Sequence, residues 1–244
     1  MSDVREVLKK AYKELAEKDF PDGDRIRFIA ELGASDDIDY HYKLICDSWK
    51  SGRRLYLENS FDRHGSDGLE FLFKKISEAE DEVIKVLTVY LIAEILSKSR
   101  HREFYTGFCK RLIPILISEI KTCDEVLRRK LIIALGWVDT SNEIGFLTRQ
   151  MLSDDDALCR VWSASSLMQM SFHGVSKEEV CEASKDAFAK VLSDEKDIQA
   201  CGLILESVQT LYGKKWVSSS AVEDVDEARI EKGRNSALRF LSKL

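Results

Sequence analysis

Asp124-Glu125-Val126-Leu127-Arg128-Arg129-Lys130-Leu131-Ile132-Ile133-Ala134-Leu135-Gly136 begins on an acid that can cap a helix and runs into a core that is apolar nearly all round. Its opening repeats an earlier one. Asp81-Glu82-Val83-Ile84-Lys85 lies 43 residues upstream of Asp124-Glu125-Val126-Leu127-Arg128. Downstream, Cys159-Arg160 and Leu167 follow Leu127-Arg128 and Leu135 at an offset of 32. Leu152-Ser153-Asp154 returns as Leu192-Ser193-Asp194 at an offset of 40. Periods of this length mark stacked supersecondary units. Each unit reads as a helix, a short Asp-containing turn and a second, more apolar helix. A single helical hairpin cannot bury both apolar faces, so such units come in series.

Four pairs follow from this period: Leu69–Ser77 with Glu82–Ser97, Phe104–Lys121 with Glu125–Trp137, Asn142–Leu152 with Ala157–Phe172, and Lys177–Leu192 with Asp197–Tyr212. A last helix from about Asp226 carries Ile230, Ala237, Leu238, Leu241 and Leu244 on one stripe and charge on the other face, as a terminal cap requires. Upstream, Val4, Val7, Leu8, Ala11 and Leu15 share a helix face behind Asp3 as a possible cap. Arg25 to Leu32 reads as a helix with Gly33 as its C-cap, and Ile38 to Trp49 and Arg53 to Phe61 as further short helices. The polar stretch 62–68 reads as a loop and a subdomain boundary. Gly136 and Gly202 fit close helix approach or helix ends.

Composition agrees. Two prolines, Pro21 and Pro114, stand in 244 residues where average usage gives roughly twelve, too few for a turn-rich β architecture. An apolar content of 44% argues against disorder. The most apolar run, Val83 to Leu96, is broken by Lys85 and Glu94, so no membrane span is expected, and the N-terminus has no basic head and apolar stretch of a signal peptide. Six scattered cysteines, 46, 109, 123, 159, 181 and 201, read as reduced core residues of a cytoplasmic protein.

The segments Leu127–Gly136, Phe146-Leu147 and Cys159-Arg160-Val161-Trp162-Ser163-Ala164-Ser165-Ser166-Leu167 resemble HEAT repeats. The resemblance covers roughly residues 69–212 and is specific for fold. It implies an all-α, right-handed α-α superhelix of HEAT-like hairpins: one solenoid domain over 1–244, with divergent helices at 1–64 and a capping helix at 226–244. It implies a kink-tolerant proline in a first helix, matched by Pro114. It also implies a ladder of turn Asp and second-helix Arg, here Asp124, Asp154 or Asp156 with Arg128 and Arg160. Lys85 replaces that Arg in the first unit, and the last unit lacks it, Ala200 standing there.

Catalytic signatures are missing. There is no phosphate loop, no dinucleotide fingerprint and no nucleophile elbow, and Gly213-Lys214-Lys215 lacks the rest of a phosphate-binding motif. The histidines 41, 64, 101 and 173 fall in separate segments, and no CxxC occurs, so no metal or other cofactor is expected. No His-Glu dipeptide is present, unlike the iron-binding HEAT-type hydroxylases. Asp62, His64 and Asp67 could serve acid–base chemistry but read as a solvated loop. Tyr40-His41-Tyr42 reads as a helix side partly in the core. Trp137-Val138-Asp139 and Trp162 are similar in type to residues of HEAT-like DNA glycosylases, at the wrong spacing, and an isoelectric point near 5.4 opposes a phosphate-binding groove.

Charge is the stronger lead. The net −6 divides into +5 over residues 98–130 and −11 elsewhere. Acid gathers at 36–39, 154–156, 194–197 and 223–227, mostly in turns between paired helices. Such turns cap helices, and in series they form an acidic ridge able to steer a basic partner. The patch Lys98, Arg100, His101, Arg102, Lys110 and Arg111 reads as a solvated helix junction. The expected function is a non-enzymatic protein-binding module. Its most specific form is an acidic inhibitor of the HEAT-like immunity type that masks a basic toxin such as a nuclease. A scaffold or assembly factor, and then a DNA-repair glycosylase, are the alternatives. Expected contacts are Trp162, Asp154, Asp155, Asp156, Glu223, Asp224, Asp226 and Glu227. The expected partner is another protein, basic in charge, with nucleic acid, small molecules and membrane set aside.

Overall fold

A computed structural model describes residues 2–121, 124–138 and 141–244. They form an all-α chain with no strand among the described residues. Thirteen α-helices are described: α1 (Ser2–Glu17), α2 (Asp22–Ala34), α3 (Ile38–Ser51), α4 (Gly65–Glu78), α5 (Glu82–Lys98), α6 (Tyr105–Ile120), α7 (Glu125–Trp137), α8 (Ile144–Ser153), α9 (Ala157–Met170), α10 (Lys177–Asp194), α11 (Ile198–Leu211), α12 (Ser219–Glu223) and α13 (Glu227–Leu241). Short 3-10 segments occupy Leu57–His64 and Ser141–Glu143. From α4 onward the helices fall where the sequence period places them, within a few residues at each end.

The chain divides into two compact units. One takes in residues up to Ile95 with Arg102–Phe104, and the other Leu96–His101 with Tyr105–Leu244.

In the first unit the 3-10 segment is the hub, packed by α2, α3 and α4. Three expectations change here. The stretch 53–61 is not an α-helix: 53–56 is irregular, 57–61 is 3-10, and Tyr56 takes φ +57° between Leu55 and Leu57, which are both buried. The stretch 62–68 is not a loop, since the 3-10 turn hands over directly to α4 at Gly65, whose φ of +59° suits glycine. Gly33 is not a C-cap. It lies inside α2, where a Cβ would sit 2.7 Å from Ser60 Cβ, and α2 runs on to Ala34. In α1, which starts at Ser2 ahead of the expected cap, Leu8 and Leu15 are buried while Val4 and Val7 face solvent. The helix has rolled so that Tyr12 packs on Phe20 and Phe28.

In the second unit, α7, α9, α11 and α13 pack in succession, and α8 packs on both α9 and α10. The order is set by caps and small residues. Asp124, Asp156, Asp197 and Asp226 each accept a backbone N–H three residues on, fixing the starts of α7, α9, α11 and α13. Cys159 Sγ contacts the Glu125 carbonyl and Ser166 Oγ donates to the Ile132 carbonyl, both at an offset of 34, so α7 and α9 run parallel. Gly136 permits this approach: a Cβ there would lie 2.7 Å from Ser166 Cβ. Gly202 against Ile230 and Gly233 against Leu205 do the same for α11 and α13. Pro114 faces solvent, and α6 continues through it.

Candidate functional site

The capping acids place the N-terminal ends of α7, α9 and α11 beside one another, and arginines join them. Arg128, four residues after its cap, donates to both Asp154 carboxylate oxygens at 2.9 and 2.8 Å and to Asp155 at 2.9 Å. Arg129 donates to both oxygens of Asp156 at 2.9 and 2.6 Å. Arg160 donates to both oxygens of Glu195 at 2.7 and 2.8 Å and to the carbonyls of Asp154 and Asp155. Bidentate pairs of this kind fix geometry as well as energy. Asp124 serves as the α7 cap.

Burial sorts the acids by role. The Asp154 side chain is 3% exposed and that of Glu195 is 2%, whereas Asp155 is 95% exposed. The Arg129 guanidinium holds the Asp156 carboxyl down at about 2. Burial pushes the Glu195 carboxyl up, but Arg160 and the N–H groups of Asp197 and Lys196 outweigh it, and the net shift is downward. Asp154, Asp156 and Glu195 are therefore internal anions already matched by cations. Asp155, Asp194 and Asp197 project into solvent on the same turns. A polar cleft of about 240 Å³ opens between them, lined by Leu152, Ser153, Asp154, Arg160, Asp194 and Glu195 among others.

Two partners escape the sequence reading, Arg129 and Glu195. Alignment on the capping residues finds the second: Asp154 and Glu195 both stand two residues before their caps, Asp156 and Asp197. The Leu-Ser-Asp match instead pairs Asp154 with Asp194, one residue out of register. The same cap alignment moves the missing arginine position from Ala200 to Cys201. There Arg234 of α13 substitutes from the next helix, its Nε 2.9 Å from Cys201 Sγ and its Nη2 donating to the Glu195 carbonyl.

At 223–227, α12 ends on Glu223, Val225 turns the chain at φ +51°, and Asp226 caps α13 while pairing with Arg229 at 3.1 Å. Glu223, Asp224 and Glu227 are exposed. Trp162 is half-buried on α9. Trp137 donates its indole N–H to Gln169, and its carbonyl accepts from Arg100, whose guanidinium also lies over Tyr105. Asp139 and Cys123 lie outside the described residues.

Other titratable groups have shifted pKa values. His41 is fully buried. Its Nε2–H donates to the Leu57 carbonyl at 2.8 Å, so its Nδ1 accepts from His64 Nε2–H at 2.8 Å. Burial pushes His41 down to about 4. Burial also pushes the Cys159 thiol up to about 12, away from nucleophilic use. Tyr40 and Tyr42 are buried beside His41, and Tyr42 shares a hydrogen bond with Thr88. Among the described residues, no three His, Cys, Asp or Glu side chains are placed to hold a metal ion, and no helix is long and apolar enough to cross a membrane. Compared with protein-family models, curated proteins and solved structures, the chain finds no match.

Proposed function

We propose that the chain is a HEAT-like α-solenoid that works as a non-enzymatic protein-binding module, in its most specific form an acidic inhibitor of the immunity type that masks a basic protein. One observation carries the reading. After the arginines have matched Asp154, Asp156 and Glu195, the carboxylates of Asp155, Asp194 and Asp197 are still exposed on braced turns, although Arg128 also reaches Asp155, Lys190 pairs with Asp194 and Asp197 caps α11. Fixed, solvent-facing charge of one sign steers a partner of the other sign and holds it with little ordering cost. Glu223, Asp224 and Glu227 add exposed acid at the turn before α13.

The test is affinity capture with the chain as bait beside a variant carrying Asp155→Lys and Asp194→Lys, which leaves the Asp197 cap of α11 in place. A basic protein retained by the parent and lost by the variant is the expected result. If the retained protein is a toxin or nuclease whose activity falls on binding, the inhibitor reading stands. If its activity is unchanged in a stable complex, the chain is a scaffold. Equal recovery by parent and variant contradicts the acidic-edge reading. Excision of bases from alkylated DNA, with affinity falling steeply as salt rises, would replace it with the glycosylase reading.

A further inference from the structure

We propose that the solvent face of α7, α9 and α11 seats a basic amphipathic helix of the partner. The inference rests on the protein-binding reading above and adds the shape of what is bound. Counted from the capping acids Asp124, Asp156 and Asp197, the residues two, six, nine and thirteen positions on are all at least partly exposed in all three helices. This spacing of four, three and four keeps them on one face of each helix. Nearly all the other residues of these helices are buried or belong to the arginine braces. The face therefore repeats in register across three parallel neighbours.

Six of its twelve positions are apolar or aromatic, and Lys130 is its one basic residue. Val126 is 55% exposed and Leu158 38%, both two residues past their caps. Trp162 and Leu203 are both six past, and Ile133 is nine past. Val126, Leu158, Trp162 and Leu203 thus trace an apolar path from α7 over α9 to α11. Adjacent helix axes lie about 8–10 Å apart, so the path spans roughly 16–20 Å, the length of about 11–13 residues of helix. A half-exposed tryptophan near the centre of such a path is the residue type that most often anchors an interface.

Charge selects the occupant. At the capped end of the same helices stand the exposed carboxylates of Glu125, Asp155 and Asp197. Asp156 contributes none, being matched by Arg129. An apolar strip bordered by fixed acid fits a helix whose apolar stripe is flanked by Lys or Arg, the groove-binding mode of amphipathic helices.

The experiment uses the full chain and two labelled 18-residue peptides of equal positive charge, followed by fluorescence anisotropy. One is an amphipathic Leu/Lys helix former, the other a Lys/Gly/Ser peptide without apolar side chains. The amphipathic peptide should bind at least about tenfold more tightly. Leu158→Ser with Trp162→Ala should remove that advantage and leave the second peptide's weak binding unchanged. Val126→Lys, which adds repulsion on the same path, should act likewise if the double variant folds poorly. Equal affinity for the two peptides, or indifference to these substitutions, overturns the helix-docking inference while leaving the acidic edge standing. Binding of both peptides that ignores salt and Asp155→Lys overturns the acidic edge itself.

Discussion

Three consecutive aspartates, 154 to 156, do different work although the sequence makes them look alike. Asp154 and Asp156 are clamped by Arg128 and Arg129, whereas Asp155, which Arg128 also reaches, is 95% exposed. Composition could show that the turn is acidic but not which carboxylate was already matched, because that depends on arginines about 27 residues away. Glu195 is the extreme case. Its carboxylate is 2% exposed and receives Arg160 together with two backbone N–H groups. Glu195→Ala leaves a half-buried guanidinium unmatched and should cost about 3–5 kcal/mol in chemical denaturation. Asp155→Ala should stay within about 0.5 kcal/mol of the parent. A like loss at both positions would mean that the braces carry no special weight.

His41 gives the first unit a pH signature. Its pKa, about 4 in the fold against an ordinary 6.5, means that the unfolded chain binds a proton there that the folded chain refuses. Stability from this residue is complete above pH 6.5 and is lost as pH falls toward 4, by up to about 3 kcal/mol. His64, half-buried and likewise lowered by burial, faces Asp36 and Asp62, which oppose that shift. His41→Gln, which can still donate to the Leu57 carbonyl, should flatten the fall in melting temperature between pH 6.5 and 4. An unchanged slope would assign the acid sensitivity to other groups.

Among the elements, the paired helices from α4 to α11 were legible because cap, apolar run and period agree with one another, and each is a local signal. The first unit was less legible. Leu57 and Phe61, four residues apart, fit a helical period, yet burying Leu55 as well as Leu57 goes with an irregular entry and a left-handed residue between them. Gly33 likewise reads as a helix stop until the Ser60 backbone, 2.7 Å from its missing Cβ, shows why no side chain fits. Gly136 is the corresponding contact between α7 and α9. Gly136→Ala gains about 1 kcal/mol of helix propensity but forces a methyl into Ser166, a clash of about 1–3 kcal/mol. The net effect should be destabilising by up to about 2 kcal/mol. Gly107→Ala in α6, where nothing lies within 4 Å of the added Cβ, should be neutral or stabilising by up to about 1 kcal/mol. If the two substitutions behave alike, helix spacing in the second unit is not set by Gly136.

For the whole molecule, the net charge of −6 understates the exposed field at the turn edge, and part of that field is cancelled from within. Arg128 and Arg129 belong to the sequence's basic middle, residues 98–130, and the fold aims both at the acidic turn that follows. Arg128 and Arg129 thus tie the basic middle to the acidic 154–156 turn within the second unit. We propose that the exposed carboxylates beside this pairing recruit a basic polypeptide. The most direct measurement is its association rate constant with the chain, by stopped flow, as ionic strength rises from about 20 to about 300 mM. A fall of at least about tenfold is expected, largely abolished by combined Asp155→Lys and Asp194→Lys. A rate that ignores both salt and these substitutions would contradict it.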